Sequence, residues 1–170
     1  MSAMVSFVSE VRDIPSFRDL LVEYYTIILK TFEAAGGPAL SPEEMADGNI
    51  DHLDEMLPPE GRLVLAYGED EKLLGCGALR RIRPDAVEMK RMFVRPEAQG
   101  TGIGKRLFDM RIEEAKKMGC RAVYADTAKG NRSMLTMYER FGFQYIQRYP
   151  ENANPPEFEP YLVFLEYRFP

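Results

Sequence analysis

The segment VRPEAQGTGIGK carries glycine at three alternate positions, Gly100, Gly102 and Gly104. The residues before it have the composition of a strand, and the residues after it repeat apolar side chains at helical spacing. Glycine lacks a Cβ, so such a backbone can approach a ligand closely, and a helix start adds a partial positive charge. The segment predicts a strand–loop–helix unit that binds a phosphate or pyrophosphate. A tight strand-to-helix turn without a ligand is the simpler alternative.

Hydrophobic spacing divides the 170 residues into alternating strands and helices, as expected for one domain spanning 1–170. Strands are predicted at 3–12, 62–68, 72–82, 86–94, 121–126, 143–148 and 161–169. Helices are predicted at 15–34, from 41 to about 56 with a break near Gly48, and at 103–118 and 131–141. The short connections between 62 and 94 predict an antiparallel meander. Together the elements predict one α/β domain with a mixed sheet.

Two common nucleotide-binding loops do not fit the glycine spacing. A Walker A loop requires G-x-x-x-x-G-K-[ST], but position 99 is glutamine and Arg106 follows Lys105. The dinucleotide fingerprint is G-x-G-x-x-G at the opening of a βαβ unit, whereas this loop reads G-x-G-x-G after a meander. The spacing thus makes a kinase or a nucleotide-binding protein the weakest alternative.

The spacing that fits is Q-x-x-G-x-G, with Gln99, Gly102 and Gly104 in register. It resembles the pyrophosphate loop [QR]-x-x-G-x-[GA] of the GCN5-related N-acetyltransferase (GNAT) superfamily. The segments VEMKRMFVRP, GIGKRLFDMRIEEAKKMGC, AVYADT and NRSMLTMYERFGF also stand in the family's order. The resemblance is clear over about residues 72–148 and weaker before them. It implies an α/β (α+β) fold with a mixed, mostly antiparallel sheet of six to seven strands and about four flanking helices.

The resemblance also implies acetyl-coenzyme A as co-substrate, with no metal, and direct transfer of the acetyl group to a primary amine. In the family a central strand separates from its neighbour and pairs with the pantetheine arm, which here places Met92, Phe93 and Val94 along the cofactor. Asn131 would contact the cofactor directly or through water. The pyrophosphate would be held by the loop residues Gln99, Gly100, Thr101, Gly102, Ile103, Gly104 and Lys105.

Glu88 is the candidate general base. It stands eleven residues before Gln99, which is the spacing of the base in the histone-modifying members that this chain resembles. On a simple alternating strand Glu88 shares a face with Lys90 and Met92, although a bulge would break that pattern. The alternatives are a solvated carboxylate on a half-exposed strand and a base formed by water.

Tyr138 is the candidate acid, because it stands at the family's recurrent tyrosine position, seven residues after Asn131. A phenol with a pKa near ~10 can protonate the departing thiolate. The alternative is core packing, because Met134, Tyr138 and Phe141 form an apolar stripe at helical spacing.

The composition limits the classes of binding partner, the cellular location and the metal sites that are expected. The net charge of −5 and pI of about 5.1 argue against nucleic acid as a partner. No apolar run approaches the ~20 residues of a membrane helix, and no signal peptide is recognisable, so a cytoplasmic location is expected. Cys76 and Cys120 are expected to be semi-buried thiols, and His52 a surface residue, so no metal site is expected.

The acceptor is the least determined part of the prediction. In the resembled fold it is bound by segments that correspond here to 30–58 and 148–162. Their acidic residues favour a cationic amine, or are merely solvated: Glu43, Glu44, Asp47, Asp51, Asp54, Glu55, Glu151, Glu157 and Glu159. Lys90 and Arg91 favour instead an acceptor with a carboxylate, such as an amino acid.

Two other functions are compatible with the same sequence features. The domain could bind acyl-CoA as a sensor without catalysis, or it could transfer another acyl group. A homodimer is also expected, formed through the apolar C-terminal strand YLVFLEYRF if that strand lies at a sheet edge.

Overall fold

The computed structural model describes residues 2–170, in which seven strands form one sheet and four α-helices pack against it. The strands are β1 (Met4–Val8), β2 (Gly61–Tyr67), β3 (Leu73–Arg83), β4 (Ala86–Val94), β5 (Ala122–Ala128), β6 (Gln144–Ile146) and β7 (Leu162–Arg168). The helices are α1 (Ile14–Ala34), α2 (Pro42–Asp51), α3 (Ile103–Lys117) and α4 (Arg132–Phe141). Short 3-10 turns cover Leu53–Met56, Pro96–Ala98 and Pro156–Tyr161.

The sheet order is β1-β2-β3-β4-β5-β7-β6, and every neighbouring pair is antiparallel except β4 and β5. Parallel neighbours need a long crossover, which here is the glycine-rich loop followed by α3. The predicted mixed, mostly antiparallel sheet with about four helices is therefore confirmed. The crossover places the start of α3 beside the end of β4.

A bulge in β4 decides which side chains face which side of the sheet. Cys76 pairs with Phe93 and Ala78 with Lys90, so two β4 residues, Arg91 and Met92, stand opposite one β3 residue. Arg91 has a φ of 55°, in the left-handed region. Because of the extra residue, Met92 packs on the α3 side of the sheet, among the cluster that includes Val94 and Leu107. The simple alternation that put Met92 on the face of Glu88 and Lys90 is thus wrong.

The second feature of β4 is a partial separation from β5. Their ladder runs from Ala86↔Ala122 to Met89↔Ala125 and stops there. Beyond it the two strands continue as 90–94 and 126–128 without pairing to each other. An opening between two adjacent strands exposes backbone N–H and C=O groups that an extended ligand can pair with.

Two apolar clusters hold the sheet between its helices. On one face, Phe17, Leu20 and Leu21 of α1 pack over the middle of β2 and β3. On the other, Phe108 and Ile112 of α3 pack with β4, β5 and α4. Helices on both faces leave the β4–β5 opening as a channel between α1, α3 and α4.

The helix starts agree with the capping signals. Ser41 accepts a hydrogen bond from the N–H of Glu44 at 3.2 Å, with Pro42 in the first turn. The predicted break near Gly48 is wrong, because α2 continues to Asp51 and a 3-10 turn follows His52. A single glycine within a helix costs only ~1 kcal/mol, which tertiary packing offsets.

The C-terminal strand is not at an edge. β7 lies between β5 and β6, and the three-residue β6 is the outer strand at that end. The condition attached to the predicted dimer is therefore not met by β7, and the dimer stays a prediction.

Candidate active site

A groove of about 380 Å³ runs from the glycine-rich loop along the separated part of β4. α1 contributes Tyr24, Ile28 and other residues to its opposite wall. Seven of the residues predicted to contact a cofactor line it: Met92, Phe93, Val94, Gln99, Gly100, Gly104 and Asn131. The structure therefore brings together residues from β4, the loop and the start of α4 that are far apart in the chain.

The loop presents a row of free backbone donors. Gly100 and Gly102 have φ values of 77° and 89°, which favour glycine because a Cβ is strained there. The first helical hydrogen bond of α3 runs from Arg106 N–H to Gly102 C=O at 3.1 Å. Within residues 2–170, the N–H groups of 100–105 donate to no backbone carbonyl. Free N–H groups at a helix start suit a diphosphate, so this loop fits the expected group.

The other predicted loop residues differ in their surroundings. Thr101 and Gly102 are exposed at the rim, and the Thr101 hydroxyl donates to Ala98 C=O at 2.6 Å. The Ile103 side chain is buried in the core, so only its backbone N–H is available to a ligand. The Lys105 ammonium pairs with Asp109 on its own helix.

Asn131 stands at the N-terminal boundary of α4, where its side chain faces the groove instead of capping the helix. Its Nδ2 donates to Thr127 Oγ1 at 2.8 Å. The bond links the start of α4 to the separated part of β5, so Asn131 holds this side of the opening.

The groove adjoins a small space of about 40 Å³, here named the reaction chamber, which has Tyr138, Tyr24, Lys90 and Asp126 in its wall. The Tyr138 ring is 3% exposed and packs against Phe143 with ring centres 4.9 Å apart. Its hydroxyl has no hydrogen-bond partner in the described part of the chain, and burial raises its pKa to about 12. Tyr138 is therefore both a core residue and a protonated donor open to the chamber.

Glu88 is fully buried, and its surroundings differ from a solvated strand position. Tyr149 Oη donates to one carboxylate oxygen at 2.6 Å. The other oxygen lies 3.1 Å from Lys90 Nζ and 3.5 Å from Arg80 Nη2. The solvated, half-exposed alternative is wrong, and Glu88 reaches the chamber only through Lys90, which lines it.

Asp126 and Lys90 are charged residues of the chamber wall with shifted pKa values. Burial raises the pKa of Asp126, with the nearby charge of Glu88 as a second cause, while burial and Arg91 lower the pKa of Lys90. Asn152 Nδ2 donates to Asp126 at 2.8 Å. Sequence reasoning missed Asp126, although a single acid in the otherwise apolar strand AVYADTA was an available signal.

A cavity of about 100 Å³, here named the acceptor cavity, adjoins the chamber. Tyr24, Arg91, Asp126 and Thr127 line both spaces. A second cleft, of about 270 Å³, lies on the other side of Arg91 and includes Glu44 and Glu55. The other acids of 41–55 are exposed to solvent: Glu43, Asp47, Asp51 and Asp54.

Several other features lie outside this arrangement. A cleft of about 450 Å³ at the β1 edge shares no lining residue with the groove. Cys76 and Cys120 are both buried, not semi-buried, and burial raises the pKa of the Cys76 thiol to about 12. His52 is exposed, as predicted. Within residues 2–170 we find no cluster of metal-ligating side chains and no helix long and apolar enough to cross a membrane.

The acetyltransferase (GNAT) family profile matches residues 15–143, more than half of the chain. The chain belongs to the GNAT acetyltransferase family. An uncharacterized N-acetyltransferase of Schizosaccharomyces pombe is 30% identical to this GNAT acetyltransferase over 152 residues, which cover 89% of this chain and 88% of the relative.

Two solved structures share the fold of this GNAT acetyltransferase. The PaiA N-acetyltransferase of Thermoplasma acidophilum, solved in complex with coenzyme A, has a TM-score of 0.69 and 18% identity, over 99% of this chain and 100% of that one. A GNAT family acetyltransferase of Elizabethkingia anophelis, solved with acetyl-CoA bound, has a TM-score of 0.64 and 20% identity, over 98% of each chain. At these identities the likeness concerns the fold.

Proposed function

We propose that this chain transfers an acetyl group from acetyl-CoA directly to a primary amine of a small molecule or peptide. The observation that carries the proposal is the opening between β4 and β5, which joins a loop of free N–H groups to a chamber containing Tyr138. Acetyl-CoA carries a diphosphate, which matches the loop of free N–H groups. Its thioester lies at the end of a long arm, which matches the chamber. The coenzyme A complexes of the structural neighbours support the same donor.

The residues that would hold acetyl-CoA follow from the groove. Backbone N–H groups of 100–105, next to Gln99, would bind the diphosphate, and the backbone of 92–94 would pair with the pantetheine arm. Asn131 would contact the arm from the α4 side. When bound, the thioester supplies an activated acetyl group, so no cysteine nucleophile is required.

The acceptor amine must lose a proton before it can attack, because an alkyl ammonium has no free lone pair. We assign Glu88 as the final proton acceptor, acting through Lys90. Lys90 lines the chamber and its Nζ lies 3.1 Å from Glu88 Oε1, so a proton can pass from the acceptor to Lys90 as Lys90 releases one to Glu88. The lowered pKa of Lys90 favours that release.

Tyr138 supplies the other proton transfer. Its hydroxyl opens into the chamber, and its raised pKa keeps it protonated at neutral pH. It can therefore donate a proton to a thiolate that leaves the chamber.

Thermal unfolding with and without acetyl-CoA tests the binding step, with ATP and NAD as controls. At a hundred times the Kd, a ligand adds ~2.7 kcal/mol of stability, or roughly 5–11 °C in Tm for a domain of this size. We expect a rise with acetyl-CoA and none with the controls. No rise at millimolar acetyl-CoA, in folded protein purified without bound coenzyme, would contradict the proposal.

Release of free coenzyme A in the presence of a panel of amines tests transfer. Acetylated product detected by mass spectrometry supports the transferase. A Tm rise without transfer to any amine would indicate a non-catalytic acyl-CoA-binding domain. Faster turnover with propionyl- or succinyl-CoA would indicate another acyl group.

A further inference from the structure

Two side chains of opposite charge line the acceptor cavity. Arg91 reaches it from β4 and Asp126 from β5, at the level where the two strands separate. Both also line the reaction chamber, so the cavity adjoins the chamber at these two side chains. An acceptor held in this space therefore meets a cation and an anion together.

Arg91 is fixed in place, yet its outer nitrogens are free. Its Nε donates to Asn49 Oδ1, and its guanidinium carbon lies 5.7 Å from the centre of the Tyr25 ring. Asn49 is itself held by donating to Tyr25 Oη at 2.7 Å and Met45 C=O at 2.8 Å. In residues 2–170, neither Nη atom of Arg91 has a hydrogen-bond acceptor or a carboxylate partner. A guanidinium with both Nη atoms free matches the two oxygens of a carboxylate.

The backbone at Arg91 supports a role in binding. Its φ of 55° lies in the left-handed region, which is strained for a residue with a Cβ. The bulge interrupts the regular alternation of β4 at Arg91, and the Arg91 side chain lines the cavity. Such strain is characteristic of functional sites.

Asp126 offers the complementary acceptor. One of its oxygens accepts from Asn152 Nδ2 at 2.8 Å, which fixes the carboxylate. Its other oxygen accepts no hydrogen bond from any described residue. A free, partly desolvated carboxylate oxygen is suited to an ammonium group.

The remaining wall of the cavity is predominantly apolar. Ile28, Leu29 and Phe32 come from α1, and Phe158 and Leu162 come from the segment before and at the start of β7. We propose that the acceptor is an α-amino acid with an apolar side chain. Its ammonium binds Asp126, its carboxylate binds Arg91, and its side chain fills the apolar part. This inference rests on the proposed acetyl transfer.

A polycationic acceptor fits these surroundings less well. Most acids of 41–55 face solvent, and Asp47 is already paired with Arg18 at 2.6 Å. A second positive charge on the acceptor would meet Arg91 inside the cavity. The free guanidinium therefore selects for a carboxylate.

Matched acceptors test the proposal on the wild-type protein. L-leucine is compared with isoamylamine, which lacks only the carboxylate, and L-phenylalanine with phenethylamine. A charge-assisted hydrogen bond to a carboxylate predicts a kcat/KM roughly 10- to 100-fold higher for each amino acid than for its amine. Independently of turnover, L-leucine is expected to raise the Tm of the protein mixed with coenzyme A, whereas isoamylamine and isocaproate are not.

Variants of Arg91 and Asp126 assign the contacts. Arg91→Gln is expected to bring the leucine-to-isoamylamine ratio close to one, while Arg91→Lys keeps a charge and is expected to retain part of it. Asp126→Asn is expected to lower kcat/KM for both acceptors by at least about 10-fold, because both need the ammonium contact. Arg18→Gln, which removes a surface ion pair, is the control and should leave the ratio unchanged.

The outcomes separate the two proposals. The inference is supported if the wild-type protein prefers amino acids to the matched amines and Arg91→Gln loses that preference in kcat/KM. Amines without a carboxylate acetylated as well or better would overturn it and leave acetyl transfer intact. A Tm rise with acetyl-CoA but no acetylation of any amine would overturn both. No Tm rise with acetyl-CoA would remove the proposed function at its first step and the inference with it.

Discussion

The hydroxyl of Tyr138 is a single polar atom at the inner end of a mostly apolar side chain, so Tyr138→Phe separates its chemistry from its packing. The ring contacts with Phe108 and Phe143 remain in the variant. Loss of a general acid predicts a fall in kcat of roughly 10²- to 10⁴-fold. The acetyl-CoA-dependent rise in Tm should persist, because Tyr138 does not line the groove that would hold the diphosphate.

Tyr145→Phe is the matched control for this prediction. Tyr145 is 53% exposed, and its hydroxyl donates to Glu139 on the surface. The same chemical change there should leave kcat within about twofold, since surface substitutions away from special features have small effects. Equal kcat values for Tyr138→Phe and wild type would exclude Tyr138 from the mechanism.

Individual site residues were predictable from the sequence to different degrees. Tyr138 and Glu88 were identified by their distance from recognisable motifs, although their roles remain proposals. The burial of Glu88 was not predictable, because Tyr149 and Arg80 reach it from a distant loop and a neighbouring strand. Asp126 was missed because a lone aspartate acquires meaning only when a three-dimensional cavity surrounds it.

At the scale of elements, Gly104 in the first turn of α3 allows a prediction about the width of the groove. A Cβ at Gly104 would lie 3.5 Å from Met92 Cε and 3.8 Å from Val94 Cγ2, which are ordinary contacts. Gly104→Ala should therefore fold and bind acetyl-CoA with a Kd within about threefold of wild type, with alanine favouring the helix. Gly104→Leu places a larger side chain in the groove, and its Kd should rise at least about tenfold.

Isothermal titration calorimetry with acetyl-CoA on both Gly104 variants checks this prediction. Their Tm values without ligand serve as the control, and they should lie within a few degrees of each other. Full acetyl-CoA affinity in Gly104→Leu would show that the ligand does not pass through this groove.

The β4 bulge makes a prediction about stability. A Cβ at Gly77, opposite the bulge, would lie 2.8 Å from Arg111 Nε and 3.0 Å from its Cζ. Arg111 is fully buried and donates to Ala78 C=O and Lys90 C=O at 3.3 and 3.4 Å, across the bulge. Gly77→Ala displaces this side chain and should cost about 1–3 kcal/mol in the free energy of unfolding.

Gly48→Ala is the matched control for Gly77→Ala, because the same glycine-to-alanine change is expected to stabilise the protein there. No atom lies within 4 Å of a Cβ at Gly48, which is inside α2, so alanine should stabilise the fold by about 0.5–1 kcal/mol. Urea unfolding measures both values. A Gly77→Ala variant as stable as Gly48→Ala would show that Arg111 is not fixed against β3.

Elements were predictable where a local pattern determines them. The α1 helix, the β2–β3–β4 meander and the glycine-rich loop each have a strong periodic or compositional signal. The bulge at Arg91 and the separation of β5 from β4 have no comparable signal, because they depend on which strands become neighbours. The 3-10 turn at Pro156–Tyr161 was also not predicted.

At the scale of the whole molecule, the order and type of elements were predictable, and the edges of the sheet were not. The chain returns β7 to a position between β5 and β6, so the apolar YLVFLEYRF segment is covered on both sides over part of its length. Sequence order does not state spatial order in a mixed sheet. The prediction of a dimer therefore depends on surfaces that the sequence does not identify.

The buried tyrosines of the molecule also make its free energy of unfolding dependent on pH in the alkaline range. Burial raises the pKa of Tyr138 to about 12 and is the first cause of raised pKa values at other tyrosines, including Tyr24, Tyr25 and Tyr149. In the unfolded chain these phenols titrate near ~10. Between those values the unfolded state holds fewer protons than the folded state, so the free energy of unfolding falls as pH rises. Each such tyrosine contributes a slope of up to ~1.4 kcal/mol per pH unit.

Other buried groups modify this dependence without reversing it. The Cys76 thiol acts in the same sense, since burial raises its pKa to about 12, and its effect begins near pH ~8.5. Lys90 acts in the opposite sense, because its pKa is lowered in the folded state and the unfolded state then holds more protons. Several tyrosines and Cys76 outweigh one lysine, so stability should be nearly constant around neutral pH and should fall steeply above pH ~10.

Tyr138→Phe tests this account by removing one of the titrating groups. Urea unfolding of wild type and Tyr138→Phe, under reducing conditions from about pH 8 to about pH 11, gives the free energy of unfolding for each protein. The variant should show a shallower fall above pH ~10, by up to ~1.4 kcal/mol per pH unit, because a phenylalanine side chain has no proton to lose on unfolding. The two proteins should differ by a constant amount below pH ~9. Parallel curves over the whole range would mean that the Tyr138 phenol ionises as easily in the folded state as in the unfolded chain, and would contradict the raised pKa that its burial predicts.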